Sequence, residues 1–202
     1  TVHLDKVKAE QFVLPIGKKK THVIGINPSQ ITTEDLAVSL QPAANYVPAD
    51  GYSKVAAVER HHNTGKIGVA VAKGYGIRNG AVASSVSHDS HNIIVIGDND
   101  RDIALAVDEI IRTQGGYTVV ENGKVFETLP LPIMGLMSDA GFESVNETLG
   151  RMIKKAHEMG VPADIEPFIT LSFLALPVIP TLRITPRGLC LLTAKGPEIL
   201  QE

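Results

Sequence analysis

The hydrophobic positions of this chain fall into short runs rather than long amphipathic stretches. Four of these runs are rich in Val, Ala and Ile and are bounded by polar residues or glycines. Runs of this length and composition are typical of β-strands that are covered on both faces. They occupy residues 55–58, 67–71, 81–83 and 93–96. The pattern predicts that they form the central strands of a sheet.

Two later segments show helical periodicity instead. The first follows the apolar run 93–96, with Asp98 or Asn99 placed to cap it and Gly115 placed to end it. The second is predicted to begin at a capping-box pattern at Ser144 and to stop near Gly160. Each segment has one apolar stripe, so both helices are expected to pack on the sheet.

Two hairpins are predicted. Asn122-Gly123 separates the β-rich runs 117–120 and 124–129, and an Asn-Gly pair in this setting is a strong signal for a two-residue turn. Near the start of the chain, the runs 12–16 and 21–27 are predicted to pair across a Gly-Lys-Lys-Lys turn.

The polar segment 28–48 divides the predicted elements. It is interpreted as a linker with one helical turn after Thr33. We therefore expect a β-rich N-terminal segment and linker over residues 1–48 and an α/β domain over residues 49–202. Within that domain, residues 171–180 are predicted to form an irregular strap or edge strand, because two prolines remove ladder donors.

The predicted fold class is α/β (α+β). It consists of a mixed β-sheet with helices packed on it and a short N-terminal β-hairpin region, and it contains no TIM barrel. The chain lacks an initial Met and opens on a strand-like half-element, which suggests a piece of a longer polypeptide.

Composition narrows the functional classes. The 19 basic and 22 acidic residues give a net charge of −3, and there is no Trp, so a nucleic-acid partner is not expected. The single Cys190 excludes an internal disulfide and a multi-cysteine zinc site, which favours a reducing cytoplasm. Prolines interrupt the most apolar window, which is too short to span a bilayer as one regular helix. A soluble, cytoplasmic protein without a membrane partner is expected.

Two polar clusters stand next to the predicted strands. The segment Ser87-His88-Asp89-Ser90-His91-Asn92 lies between two apolar runs, and Glu59-Arg60-His61-His62 follows the run 55–58. Together they carry most kinds of proton-transfer group. If the strands 55–58 and 81–86 are parallel neighbours, both clusters converge on one concave face. The alternative is that the first cluster merely satisfies its own tight turn.

Several motifs follow one another along the chain: Val58-Glu59-Arg60-His61-His62, Thr64-Gly65-Lys66-Ile67-Gly68, residues 87–92, Leu129-Pro130-Leu131-Pro132-Ile133 with Gly135-Leu136-Met137-Ser138-Asp139, and residues 171–180. In that order they resemble the C-terminal part of bacterial adenine deaminases. That family belongs to the amidohydrolase superfamily, so the resemblance implies a metal-bearing (β/α)₈ barrel, a small β-domain and a C-terminal domain like this chain. It also implies hydrolysis of adenine to hypoxanthine and ammonia.

The resemblance places the metal outside this chain. The sequence contains neither the superfamily's His-X-His pair nor the cysteine-ligated deaminase signature. A divalent metal (manganese, iron or zinc) is implied for the full-length enzyme and no cofactor for this segment, which is expected to be inactive alone. Contact with the catalytic barrel is implied, and a homo-oligomer is compatible with the sequence. The candidates for contacting adenine or supporting closure over the barrel are His88, Asp89, His91, Asn92, Glu59, Arg60, His61 and His62.

Two alternative functions stay open. One is a stand-alone metal-dependent hydrolase whose ligands are His61, His62, His88, Asp89 and His91, which are suitable donors without a closed spacing pattern. The other is a binding domain that kept the fold without the chemistry. Metal content and ammonia release from adenine would separate these alternatives from the deaminase domain.

Overall fold

A mixed eight-stranded sheet forms the centre of the molecule in a computed structural model that describes residues 1–49 and 51–200. Its strand order is β2-β1-β4-β3-β6-β5-β7-β8, in which β1 and β4 are parallel and the other neighbours are antiparallel. The strands are β1 (Thr21–Ile26), β2 (Thr33–Val38), β3 (Tyr52–Val58), β4 (Ile67–Lys73), β5 (Gly80–Ser84), β6 (Ile93–Gly97), β7 (Gly116–Glu121) and β8 (Lys124–Pro130).

Both faces of this sheet are covered. Helix α1 (Asp100–Arg112) and the N-terminal segment pack on one face. The other face carries the remaining helices and a small antiparallel sheet. These elements are α2 (Phe142–Glu158), α3 (Pro167–Phe173), β9 (Leu182–Thr185), β10 (Gly188–Thr193) and β11 (Gly196–Ile199). Every residue of β5 and β6 is buried, which confirms the predicted central strands and the mixed-sheet fold class. No helix in the described part of the chain is long and apolar enough to cross a membrane.

Both predicted helices are present, but α2 begins at a different residue from the one predicted. Asn99 caps α1, because its side chain accepts a hydrogen bond of 2.9 Å from the backbone N–H of Asp102. The capping box predicted at Ser144 is wrong. Gly141 adopts the extended N-cap conformation, so α2 begins at Phe142, two residues earlier than predicted.

The N-terminal hairpin uses different strands from those predicted. Strand β1 pairs with β2, whereas Ile16 forms an isolated bridge with Ala43. The helical turn predicted after Thr33 is also wrong. Thr33 is buried in β2, and its hydroxyl donates a 2.8 Å hydrogen bond to the carbonyl of Leu182, which favours an extended backbone against β9. The division of the chain at residue 48 stays a prediction.

The irregular strap predicted over residues 171–180 is confirmed for residues 174–180. Residues 171–173 belong to α3, because Glu166 caps that helix through the N–H of Ile169 and Pro167 occupies its first turn, where a missing N–H costs nothing. The irregular segment 174–181 follows.

The hairpin at Asn122-Gly123 has the predicted geometry, with φ values of 50° and 75°. Replacing Gly123 by valine is expected to lower the free energy of unfolding by about 1 kcal/mol or more, because a β-branched residue resists positive φ. Urea unfolding would measure the loss. Gly17→Val is the matched control, since a side chain there meets nothing within 4 Å. Equal midpoints for the two variants would contradict this reading of the turn.

Candidate functional site

The two polar clusters leave the sheet at the same end. Strands β3 and β5 flank β6 and run antiparallel to it, so Val58 lies opposite Ile93 and Ser84 lies opposite Ile94. The prediction that β3 and β5 are direct neighbours is therefore wrong, because β6 separates them. The two clusters nevertheless meet, because the intervening strand brings both C-terminal ends to its own start. That they share one concave face stays a prediction.

Direct contacts join the site loop (residues 87–92) to the turn (residues 59–64). The backbone N–H of Arg60 donates a 3.2 Å hydrogen bond to Oδ1 of Asn92, and the Arg60 guanidinium donates to the carbonyl of His91. The ring Nε2 of His61 lies 2.7 Å from the carbonyl oxygen of Ser90, so this nitrogen carries the hydrogen. The loop is thus held by the turn as well as by its own local bonds.

The side chain of Arg60 is buried inside the domain. Its exposed fraction is 2%, and its guanidinium also donates to the carbonyls of Thr1 (2.8 Å) and Met134 (3.0 Å). Burial lowers the pKa of Arg60. Asn92 is buried as well. These two candidates hold the site loop in place. Burial separates Arg60 from solvent, whereas Asn92, although mostly buried, reaches the cleft beside the loop.

Glu59 shapes the turn. Its carboxylate accepts hydrogen bonds from the backbone N–H groups of His61 (2.5 Å), His62 (3.0 Å) and Thr64 (3.1 Å), and from the Thr64 hydroxyl (3.0 Å). Burial opposes ionisation, but these hydrogen bonds outweigh it and lower the pKa of Glu59 from 4.5 to about 2.

This pKa predicts a pH-dependent contribution to stability. Because the pKa of Glu59 is lower in the folded state, its contribution is present above about pH 4.5 and is lost as the pH falls towards 2. Glu59→Gln should therefore unfold at lower urea concentration than the wild type at pH 6, with a smaller difference at pH 3. Glu10→Gln, on an exposed side chain, is the control. A difference that does not change with pH would contradict the proposed role of the carboxylate.

His91 is held as a neutral hydrogen-bond donor. Its Nδ1 lies 3.3 Å from the backbone N–H of Ser87 and accepts that hydrogen, so the ring's own hydrogen is on Nε2. Burial lowers the pKa of His91, and electrostatic interactions with His88 and Arg60 lower it further against the opposing effect of Asp89. Neutral His91 thus carries a hydrogen-bond donor on Nε2.

His88 and Asp89 form the more open part of the site loop. The backbone N–H of His88 donates to the carbonyl of Ser172 (3.2 Å), and its ring centroid lies 5.0 Å from that of Phe173. The His88 and His91 ring centroids are 5.7 Å apart. The side chain of Asp89 is 83% exposed, with Oδ1 at 3.6 Å from Nδ1 of His88. Helix α3 therefore supports His88, and the His91 ring and the exposed Asp89 carboxylate lie next to it.

A cleft of about 290 Å³ opens beside the site loop. Its walls are mostly apolar, with a few polar groups from the loop, as in sites for small organic ligands. The sequence missed this cleft, because no local pattern shows that the strap and β9 close against the loop. His62 is exposed and is not among the residues that line the cleft. The lining residues are Ala57, Asp89, Ser90, Asn92, Ala175, Leu176, Pro177, Val178, Ile184, Thr185 and Pro186.

The site does not assemble a metal-ligand set. Across residues 1–49 and 51–200, no three His, Cys, Asp or Glu side chains are grouped so that they could hold a metal ion. The five ligands of the stand-alone hydrolase alternative are thus not brought together as a metal centre. The loop and turn carry hydrogen-bonding and proton-transfer groups.

Comparison with known proteins identifies the family. The sequence model of the adenine deaminase C-terminal domain matches residues 30–195. The adenine deaminase of Desulfitobacterium hafniense (strain Y51) is 52% identical over 191 residues, which cover 94% of this chain and 33% of that protein. The adenine deaminases of Nitratidesulfovibrio vulgaris (strain DP4) and Clostridium acetobutylicum are 48% and 43% identical over 192 residues each, covering 94% and 93% of this chain. The chain spans about a third of the length of these relatives. This chain belongs to the adenine deaminase C-terminal domain family.

Proposed function

We propose that this chain is the C-terminal domain of an adenine deaminase and that its site loop completes the active site of a metal-bearing catalytic barrel. The full-length enzyme, meaning the barrel portion joined to this domain, is a hydrolase that converts adenine and water to hypoxanthine and ammonia in purine metabolism. The lone buried cysteine supports a cytoplasmic location.

The contact of the turn with the site loop, which itself lines the cleft, carries this proposal. His91 offers a donor Nε2–H, while exposed Asp89 offers acceptor oxygens. Adenine presents the complementary groups, since its ring nitrogens accept hydrogen bonds and its exocyclic amino group donates them. We assign ligand contact to His88, Asp89 and His91.

Four other residues serve these contacts indirectly. Arg60 and Asn92 fix the backbone of the site loop, Glu59 fixes the turn, and His61 holds the carbonyl of Ser90. Their role is positioning, because a misplacement of about 1 Å at a reacting group is enough to cost a large part of the rate.

The divalent metal that the family resemblance implies, manganese, iron or zinc, would supply an activated water. The described residues of this chain do not fit a metal ion. The metal is therefore assigned to the barrel portion, and this domain contributes ligand contacts and the closure of the site.

Ammonia release from adenine tests the proposal. The full-length enzyme should release ammonia, and the 202-residue chain alone should not, with or without added Mn²⁺ or Fe²⁺. Turnover by the isolated chain within tenfold of about 10 per second, a common value for enzymes, would overturn the proposal and favour a stand-alone hydrolase.

A further inference from the structure

We infer that a second feature, the apolar surface formed by Ile133, Met134, Met137 and Phe142, docks the barrel portion of the full-length enzyme at the rim of the site. This inference rests on the proposed function, because that function supplies the occupant. The surface lies outside the site loop and outside the eight residues assigned to the site.

The surface is unusually apolar for solvent-facing side chains. The exposed fractions are 45% for Ile133, 62% for Met134, 53% for Met137 and 78% for Phe142. Asp139 is the one charged residue between positions 131 and 142. Large apolar side chains gathered in one exposed segment mark an interaction site, and methionines adapt their shape to a partner.

The backbone beneath the surface is fixed. Ile133 and Met137 form a two-way bridge with hydrogen bonds of 3.2 and 3.1 Å. The carbonyl of Gly135 accepts a 2.6 Å hydrogen bond from the hydroxyl of Ser85, and a β-carbon at Gly135 would lie 2.8 Å from the Arg60 guanidinium. A fixed backbone under exposed side chains loses little entropy on docking, which favours binding.

The surface is next to the candidate site. It follows β8, whose Pro130 lies opposite Gly116 of β7, at the sheet end where β5 delivers the site loop. The guanidinium of Arg60 bonds the carbonyls of both His91 and Met134. One side chain therefore spans from the site loop to the apolar surface, and a partner seated there stands at the rim of the site.

The position of Thr1 indicates the occupant. Its carbonyl accepts a hydrogen bond of 2.8 Å from the same Arg60 guanidinium. The relatives are about three times as long as this chain, and the family that matches is a C-terminal domain. In a longer chain, such as those of the relatives, the segment upstream of Thr1 would extend from a point beside the apolar surface. In a full-length enzyme, this connection would keep the barrel portion close to the apolar surface, which favours it as the occupant.

Oxidative footprinting in the full-length enzyme and in the 202-residue chain tests the docking. Met134 and Met137 should be oxidised at least about fivefold more slowly in the full-length enzyme, because docking removes them from solvent. Phe126, which is 46% exposed on β8, is the control that should be labelled in both proteins, and buried Met152 should be protected in both.

A double variant, Met134→Ser with Met137→Ser, provides a second measurement in the full-length enzyme. It should raise the labelling of Phe142 at least about fivefold towards its level in the isolated chain, whereas Phe126→Ser should not. Equal labelling of both methionines in the two proteins would overturn the inference. Concentration-dependent protection in the isolated chain, with a dimer in sedimentation, would overturn it in favour of a second copy. Protection in a full-length enzyme that does not deaminate adenine would keep the docking surface and reject the proposed function.

Discussion

In the full-length enzyme, replacing His91 by alanine is expected to lower the turnover of adenine by about 100-fold or more while the metal content stays unchanged. The neutral ring is held with its donor on Nε2, and losing a positioned donor removes an interaction with the reacting purine. The metal stays in place because the ligands are assigned to the barrel portion. Steady-state kinetics and metal analysis of the same preparation measure both quantities.

The backbone at His91 requires a second variant. Its φ is 49°, a left-handed conformation that alanine tolerates poorly and asparagine tolerates better. His91→Asn should therefore keep the shape of the loop and still lose most of the turnover. If His91→Asn has wild-type turnover while His91→Ala does not, the ring has no chemical role and the loop shape alone matters.

His157→Ala is the matched control for losing an imidazole. His157 lies on α2, where its Nδ1 is 3.0 Å from the carbonyl of Val161, and the neighbouring Met159 side chain sits against Gly80, at the opposite end of β5 from the site loop. Its replacement should leave turnover within about twofold of the wild type. Wild-type turnover in both His91 variants would favour the alternative, in which the polar residues of the site loop only satisfy their own turn.

The sequence predicted the central strands because their chemistry is local. Runs of Val, Ala and Ile need cover on both faces wherever they lie, and Asn122-Gly123 needs positive φ whichever strands it joins. The pairing of those strands is not local. The insertion of β6 between β3 and β5, and the pairing of β1 with β2, depend on contacts that no short pattern contains.

The small sheet β9–β11 was missed for a related reason. Its strands are four to six residues long, and the turns that join them place Gly188 and Gly196 at φ values of 115° and 112°. Those two glycines, each preceded by a basic residue, were the available signal for hairpins. The sequence analysis predicted only the apolar strap that precedes them.

The density of polar residues predicted where the candidate site lies. It did not predict which residues are open to a ligand and which ones position the loop. By residue type alone, Arg60 and Asn92 were as good candidates for ligand contact as His88 and Asp89. Burial separates the two pairs, since Arg60 and Asn92 are buried whereas Asp89 is 83% exposed. Burial is a property of the assembled fold, which explains why the sequence could locate the site but could not assign roles within it.

A buried ion pair that the sequence did not reveal should dominate stability. Lys54 lies within β3 with an exposed fraction of 0%. Its Nζ donates to the carboxylate of Asp100 and to the side-chain carbonyl of Asn45, each at 2.6 Å, and to the carbonyl of Phe12 at 3.0 Å. Burial lowers the pKa of Lys54, and the Asp100 carboxylate opposes that effect. The charge is tolerated inside the sheet because the start of α1 supplies this anion.

Asp100→Ala is expected to lower the free energy of unfolding by about 3 to 5 kcal/mol, because it leaves an ammonium buried without its counter-charge. Part of any loss arises because Asp100 also favours the N-terminus of α1, by up to about 1 kcal/mol. The double variant Lys54→Met with Asp100→Ala removes that contribution equally but buries no charge, so it should recover much of the stability. Urea unfolding of the three proteins separates these contributions. A single variant that loses less than about 1 kcal/mol, or a double variant without recovery, would show that the ion pair does not govern the packing of α1 on β3.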